Sequence, residues 1–193
     1  MIRSKSKSSH INQIQIENQT INDPKQMANA FNNFFANVGP NTDKEIPKTP
    51  KSPLSFLKDR VINNFFFKST TIPEVMTIVL QLDETKSAGP SDVPINVLRV
   101  AAPIIVPHLV HIFNLSFATG IFPDLMKLAK VIPIFKTGSK LLVNNYRPIS
   151  LLSVFSKIFE KLVHKQLNDF LILNSVIYES HLVFKKVDLL LIH

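Results

Sequence analysis

The sequence predicts a helix-dominated α+β fold in which a small antiparallel hairpin packs on helices. Apolar residues recur at three- and four-residue intervals in several segments, as they do on one face of a helix, and most clearly from Leu151 to Leu171. A short apolar run, Val131 to Phe135, is followed by the turn residues Thr-Gly-Ser, which is typical of a strand entering a hairpin. At 193 residues and 45% hydrophobic, the chain is long enough to form a core.

The first part of the chain divides into a tail, a helix and a linker. Residues 1–21 are polar, and their isoleucines are too loosely spaced to anchor much, so we expect a flexible tail. Asp23 and Pro24 are typical of a helix start, and Gly39 with Pro40 predicts its end. A linker rich in proline and lysine follows. The predicted regions are therefore 1–21 as tail, 22–70 as helix and linker, and 71–193 as the main domain.

The main domain is predicted to contain four further helices, the last of them from Leu151. Thr71, with Glu74 three residues later, predicts a capped helix start. Residues 94–102 and 103–120 are expected to form two successive helices, the second apolar on nearly all faces and deeply buried, with Gly120 ending it.

Two shorter segments have the composition of strands. Phe65–Phe67 is a brief strand-like stretch, and Val131–Phe135 is a strand that Pro133 restricts to a sheet edge, because proline has no backbone donor. We expect the predicted helix from Leu151 to be packed incompletely, so that Phe159 and Leu162 lie on an exposed apolar face.

Two cations flank the hairpin turn, Lys136 and Arg147. If the hairpin is centred near Leu141 they face each other, and opposed like charges, about 5 Å apart at Cβ, are destabilising without an anion between them. A triphosphate would satisfy both, since lysine supplies a point charge and arginine a planar fork. Pro148 favours extended backbone at Arg147. The alternative is a solvated hairpin tip.

The amino-acid composition indicates which classes of partner and site are favoured or excluded. A net charge of +8 and a pI near 9.7 favour a polyanion. The absence of cysteine excludes disulfides and thiolate zinc sites. With no signal peptide visible and no run of roughly 18 uninterrupted apolar residues, we expect an intracellular protein, nuclear or cytoplasmic, without a membrane partner.

Three lysines at four-residue steps, Lys157, Lys161 and Lys165, share one face of the predicted last helix. They predict either a solvated ridge or a contact with a nucleic-acid backbone. His108 and His111 lie three apart on an apolar helix, but no third ligand is near in sequence, so we predict no metal site.

Four blocks in order resemble the reverse transcriptases of non-LTR, LINE or jockey-like, retrotransposons, in their amino-terminal fingers portion. They are KSAGPSDVP from Lys86, IFNLSFATGIFP from Ile112, VIPIFKTG from Val131 and NYRPISLLSVFSKIFEKL from Asn145. The resemblance covers roughly residues 22–184.

The resemblance implies a partial polymerase palm-fingers fold, with residues 71–193 as a truncated domain holding the fingers and the start of the palm. It implies that Lys136 and Arg147 hold a nucleotide triphosphate and that Lys86, Ser87 and Gly89 approach the template. The implied partners are an RNA template, a DNA primer, a deoxynucleoside triphosphate and the palm and thumb portions.

The sequence departs from the family where the catalytic metals are held. Polymerases of this kind use two divalent ions held by closely placed carboxylates, and the 193 residues contain no aromatic-x-Asp-Asp motif. At 181–185, HLVFK stands where the family has a Gln-Phe-Gly-Phe-Arg-like segment. We therefore expect no cofactor on this chain, although Mg²⁺ is implied for the full-length family, and no polymerisation by the chain alone. Two alternatives are a non-catalytic basic module that binds RNA or single-stranded DNA, and a helical interaction domain.

Overall fold

The computed structural model describes residues 11–17, 19–47, 50–52, 55, 63–91 and 93–176. Expectations for the start of the tail and for the segment at 181–185 lie outside these residues. The linker expected at residues 40–53 is partly wrong, because residues 40–45 continue the preceding helix. The chain forms two compact units, one of residues 1–52 with 131–150 and one of residues 53–130 with 151–193. The predicted domain boundaries after residues 21 and 70 stay a prediction.

The described residues form a helix-rich α+β arrangement with two small antiparallel sheets, as the sequence predicts. The elements in chain order are β1 (Ile14–Ile16), β2 (Gln19–Ile21), α1 (Pro24–Glu45), α2 (Ile72–Leu80), α3 (Ile95–Thr119), β3 (Ala129–Phe135), β4 (Tyr146–Leu152) and α4 (Val154–Leu173). Strand β1 pairs with β2, and β3 pairs with β4.

In the first unit, isoleucines of the expected tail form part of a core, so the expectation that they anchor little is wrong. Glu17 has a φ of 46° and reverses the chain, which pairs Ile14 with Ile21 across the hairpin. Alternation along β1 and this register place the isoleucines on one face. Ile14 is fully buried in a cluster with Met27, Phe31 and Tyr146.

Helix α1 begins where the sequence predicts but continues beyond the predicted end. The Asp23 side chain accepts from the Gln26 amide at 2.8 Å, which caps the first turn. Gly39 and Pro40 lie inside the helix, which extends to Glu45. Proline removes only its own donor, and here the helix around it is exposed, so water can satisfy the carbonyl that loses its partner.

In the second unit, α2, α3 and α4 share one hydrophobic core. Thr71 and Glu74 form the predicted capping box at the start of α2. Phe159 and Leu162 of α4 are each only 3% exposed, so the expectation of an exposed face at these residues is wrong. They are covered because α3 supplies the aromatic Phe113, whose ring centroid is 4.9 Å from that of Phe159.

The two predicted helices before Gly120 are one continuous helix, α3, which contains Pro103 and Pro107. Both prolines are exposed and four residues apart, so the carbonyls left without donors lie on the solvent side while the opposite side packs. Gly120 ends the helix as predicted, with a φ of 69°.

The expectation that residues 103–120 are deeply buried on nearly all faces is wrong. Val106 and Phe113 are fully buried, whereas Ile104 and Leu115 are 74% and 55% exposed. By length and apolar composition alone α3 is also a candidate membrane span, a test that core helices of soluble proteins pass as well. The predicted absence of a membrane partner stays a prediction.

The predicted strand at Phe65–Phe67 is not a strand in the structure, and the chain that follows it, at Lys68 and Thr70, is held by side-chain amides. Gln166 of α4 accepts from the Lys68 amide at 2.8 Å and donates to the Lys68 carbonyl at 2.9 Å. Asn114 of α3 does the same to Thr70, at 2.7 and 2.9 Å. The two amides therefore replace the neighbouring strand that a β-ladder would require.

Candidate functional site

The β3–β4 hairpin has a register different from the one that places Lys136 opposite Arg147. The Lys136 amide donates to the Asn145 carbonyl at 2.8 Å, and such bonds join directly opposed residues of an antiparallel pair. Lys136 therefore faces Asn145, and Arg147, two residues further along β4, is its diagonal neighbour on the same face. Diagonal neighbours are about 7–8 Å apart, which leaves more room for an anion than direct opposition does.

Asn145 also holds the turn between the strands, a role that the sequence reasoning missed. Its side-chain amide donates to the Ser139 carbonyl at 2.9 Å, and its backbone amide donates to the Leu142 carbonyl at 3.1 Å. Gly138 has a φ of 87°, and a β-carbon there would lie 2.8 Å from the Asn145 amide nitrogen. Asparagine is a frequent turn residue, and that preference was the available signal.

Lys136 and Arg147 are both exposed, and no carboxylate of the described residues lies within ion-pair distance of either. Two uncompensated cations on one face repel each other, and an anion between them removes that cost. The arrangement fits an anion with several acceptor oxygens, because the guanidinium can grip two of them while the ammonium takes a third.

In the second unit, the loop at Lys86–Pro90 is pressed against the end of β4. Gly89 is buried with a φ of 69°, and a β-carbon added to it would overlap the carbonyl oxygen of Leu152. The Lys157 ammonium donates to the Ser87 carbonyl at 2.6 Å, and the Gly89 amide donates to the Ser87 hydroxyl at 3.2 Å. Ser87 and Gly89 thus fix the loop, while the Lys86 side chain is exposed.

Comparison with known proteins shows that the chain is similar in sequence to RNA-directed DNA polymerases of mobile elements. It is 33% identical over 100 residues to the RNA-directed DNA polymerase from mobile element jockey of Drosophila melanogaster, covering 51% of the chain and 11% of the relative. It is 34% identical over 94 residues to the Drosophila funebris jockey polymerase, covering 48% and 10%.

A third relative is the probable RNA-directed DNA polymerase from transposon BS of Drosophila melanogaster, 28% identical over 120 residues. That match covers 62% of the chain and 13% of the relative. No family model matches the chain.

The chain is similar to jockey-like reverse transcriptases. This confirms the resemblance read from the four sequence blocks. The matched stretches span between 10% and 13% of the length of these curated relatives.

The three lysines at four-residue steps in α4, Lys157, Lys161 and Lys165, differ in burial and in their partners. Lys157 is half-buried and bonded to the loop, and the pKa of its ammonium is lowered, first by burial and then by the nearby charge of Lys86, with Glu160 acting in the opposite direction. The Lys165 ammonium lies 3.7 Å from a carboxylate oxygen of Glu74. Lys161 is half-exposed and has no carboxylate within ion-pair distance among the described residues. Lys157 and Lys165 are therefore engaged by other residues, and of the lysines predicted to contact nucleic acid, Lys161 and Lys86 have no carboxylate partner among the described residues.

Among the described residues, no three His, Cys, Asp or Glu side chains are placed together so that they could hold a metal ion. His108 and His111 are exposed on α3.

Proposed function

We propose that the chain is the fingers portion of a mobile-element reverse transcriptase and that its β3–β4 hairpin binds the triphosphate of an incoming nucleotide. The observation that carries the proposal is the position of Lys136 and Arg147. They are exposed, lie diagonally on one face of the hairpin and have no carboxylate partner among the described residues. The relatives named RNA-directed DNA polymerases support the same substrate class.

Hydrogen bonds in the hairpin fix the spacing between the backbone positions of Lys136 and Arg147, whose long side chains are flexible. Asn145 bonds to Lys136, to Leu142 and to Ser139, so it holds the register and the turn together. A triphosphate seated between the cations would then meet a fixed spacing, and less entropy is lost on binding to a preorganised site.

In this proposal the nucleic-acid contacts lie in the second unit. Lys86 and Lys161 provide charge for the backbone of an RNA template and a DNA primer, and Ser87 and Gly89 set the course of the loop. Lys157 and Lys165 act mainly as structural partners, of Ser87 and Glu74 respectively. A palm and thumb from outside these residues would supply the Mg²⁺ ligands, and the proposed location is intracellular.

The hairpin contact is tested by titrating a deoxynucleoside triphosphate against the full chain at low salt. Lys136→Gln and Arg147→Gln should each weaken binding about 5- to 10-fold, because each removes charge-assisted hydrogen bonds. Lys25→Gln is the matched control, since Lys25 is an exposed lysine of the same unit in the first turn of α1. Equal effects at all three positions would overturn the phosphate site.

The same titration separates the proposal from a basic module that binds backbones non-specifically. Such a module should lose little affinity on removal of any one lysine and should weaken steeply with salt. The proposal also expects no primer extension by the chain alone with Mg²⁺ present, and template-dependent extension of a primer would contradict it.

A further inference from the structure

A pocket of about 560 Å³ lies in the first unit on the face of the β3–β4 hairpin opposite Lys136 and Arg147. Its position follows from strand alternation: Phe135 precedes Lys136 and Tyr146 precedes Arg147, so the aromatic and cationic side chains point to opposite faces. Phe135 and Tyr146 pack edge to face with ring centroids 5.6 Å apart. The pocket volume is within the range of small-ligand sites.

The aromatic wall of the pocket is fixed. Tyr146 is only 6% exposed, packs edge to face on Phe31 of α1, and donates its hydroxyl to the Lys140 carbonyl at 2.7 Å. Burial raises the pKa of the Tyr146 hydroxyl, so it stays a donor at neutral pH. Phe135 is half-buried and presents the rest of its ring to the pocket.

The polar rim of the pocket is free to bind. The Lys140 ammonium lies 5.6 Å from the centroid of the Phe135 ring, a weak contact at an exposed site, and no carboxylate of the described residues pairs with it. Asn12 and Gln13 also line the pocket and are exposed. Neither side chain makes a hydrogen bond to another residue in the described part of the chain. Each amide offers two donors and an acceptor.

We propose that this pocket binds one nucleotide of a single-stranded nucleic acid. The base lies against the Phe135 ring, the amides of Asn12 and Gln13 bond to its edge, and Lys140 swings outward to the adjoining phosphate. Stacking on an aromatic side chain with a cation beside the backbone is how proteins hold single strands. An unpaired base is required, because a base within a duplex presents no free face to a recessed ring. The net charge of +8 complements such a ligand.

This inference goes beyond the phosphate contact proposed for Lys136 and Arg147 and does not depend on it. The two sites use opposite faces of the hairpin, so each has variants that leave the other unchanged. Lys136→Gln should weaken triphosphate binding and leave single-strand binding in the pocket unchanged. Lys140→Gln should weaken single-strand binding and leave triphosphate binding unchanged.

The test uses the full 193-residue chain and a fluorescent 12-nucleotide single strand of mixed sequence, with a strand of equal length that lacks bases as comparison. Lys140→Gln and Gln13→Ala should each weaken binding of the normal strand about 5-fold, a change at the lower end of what stacked bases are worth. The matched controls are Lys25→Gln and Gln19→Ala, which alter exposed residues of the same types in the same unit and should change binding less than about 2-fold.

The strand without bases should bind more weakly, and Gln13→Ala should not weaken it further. Equal binding of the two strands, or equal effects of Lys140→Gln and Lys25→Gln, would overturn the proposal. Uridine monophosphate binding as tightly as the strand, with the same dependence on Lys140, would identify a free nucleotide as the ligand and overturn the single strand. All substituted residues are exposed, and thermal melting confirms that the variants fold.

Discussion

Gly89 lies against the carbonyl oxygen of Leu152 so closely that a β-carbon at residue 89 would overlap that oxygen. Gly89 also has a φ of 69°, a conformation that other residues adopt at a cost. Gly89→Ala should therefore lower the free energy of unfolding by about 3 kcal/mol or more, since backbone strain adds to a steric clash. Urea denaturation measures the loss.

Gly39 and Gly120 are the matched controls for that substitution. A β-carbon at Gly39 meets nothing within 4 Å in the middle of α1, so Gly39→Ala should stabilise the protein by about 0.5–1 kcal/mol. Gly120 shares the φ of 69° but has open space, so Gly120→Ala should carry the backbone cost alone, about 1 kcal/mol. A loss at Gly89 no larger than that at Gly120 would rule out the steric contact.

Lys157 ties the Lys86–Pro90 loop to α4 through the Ser87 carbonyl. Lys157→Met keeps most of the volume and removes the donor, so amide hydrogen exchange at residues 86–89 should accelerate. Lys161→Met, one helical turn away, is the control and should leave exchange in the loop unchanged. Similar exchange in both variants would show that the loop does not need this bond.

Lys86 and Lys157 are coupled electrostatically. Burial lowers the pKa of Lys157 first, and the charge of Lys86 lowers it further. Lys86→Gln should therefore raise the pKa of Lys157 toward its ordinary value of 10.5, as measured by NMR titration of the ammonium group. Because the folded pKa lies below 10.5, the unfolded chain binds more protons in the interval between them, and Lys157 makes the protein more stable as pH rises through that interval. An unchanged pKa would contradict the coupling.

Glu74, at the start of α2, gives a pH dependence of the same sign in the acid range. The Thr71 backbone amide lowers the pKa of the Glu74 carboxyl most, burial opposes this, and the hydroxyls of Thr71 and Thr70 and then Lys165 add to the lowering. The stabilisation is present above the ordinary pKa of 4.5 and is lost as pH falls through the lowered value. Glu74→Gln should flatten the pH dependence of unfolding below about pH 4.5, with the difference from wild type fading toward about pH 2.

The side-chain amides of Asn114 and Gln166, which bind the backbone of Thr70 and Lys68, should contribute unequally to the free energy of unfolding. Asn114 bonds both backbone groups of Thr70, which is 3% exposed, so Asn114→Ala should cost about 1–3 kcal/mol for each group left unpaired. Gln166 bonds Lys68, which is exposed, so water replaces the lost partners and Gln166→Ala should cost less. Denaturation of both variants compares the losses, and equal values would count against burial as the cause.

Features encoded by neighbouring residues were predicted well from the sequence. The capping box of Thr71 and Glu74 needs only a spacing of three, and Gly120 ends α3 because only its own backbone conformation matters. Pro40 and Pro103 were misleading, because whether a proline ends a helix depends on whether solvent can reach the carbonyl that it leaves unpaired.

Features that depend on distant residues could not be predicted. The bond from Lys157 to Ser87 joins residues 70 apart, and it turns a lysine of an apparent ridge into a structural donor. The spacing of Lys136 and Arg147 likewise depends on the bond to Asn145, because a shift of hairpin register changes which cation faces which residue. Residue type indicated which residues belong to the candidate site, and the geometry of that site depended on the tertiary contacts.

The bonds made by the side-chain amides of Asn114 and Gln166 also bear on how the sequence of this segment can diverge during evolution. Both amides bind only the main chain of Thr70 and Lys68, which every amino acid except proline supplies in full. Lys68 and Ser69 are exposed and can drift through many side chains while the segment keeps its course. The substitutions that natural selection must remove are those at the two amides, which lie far along the chain from the segment that they hold.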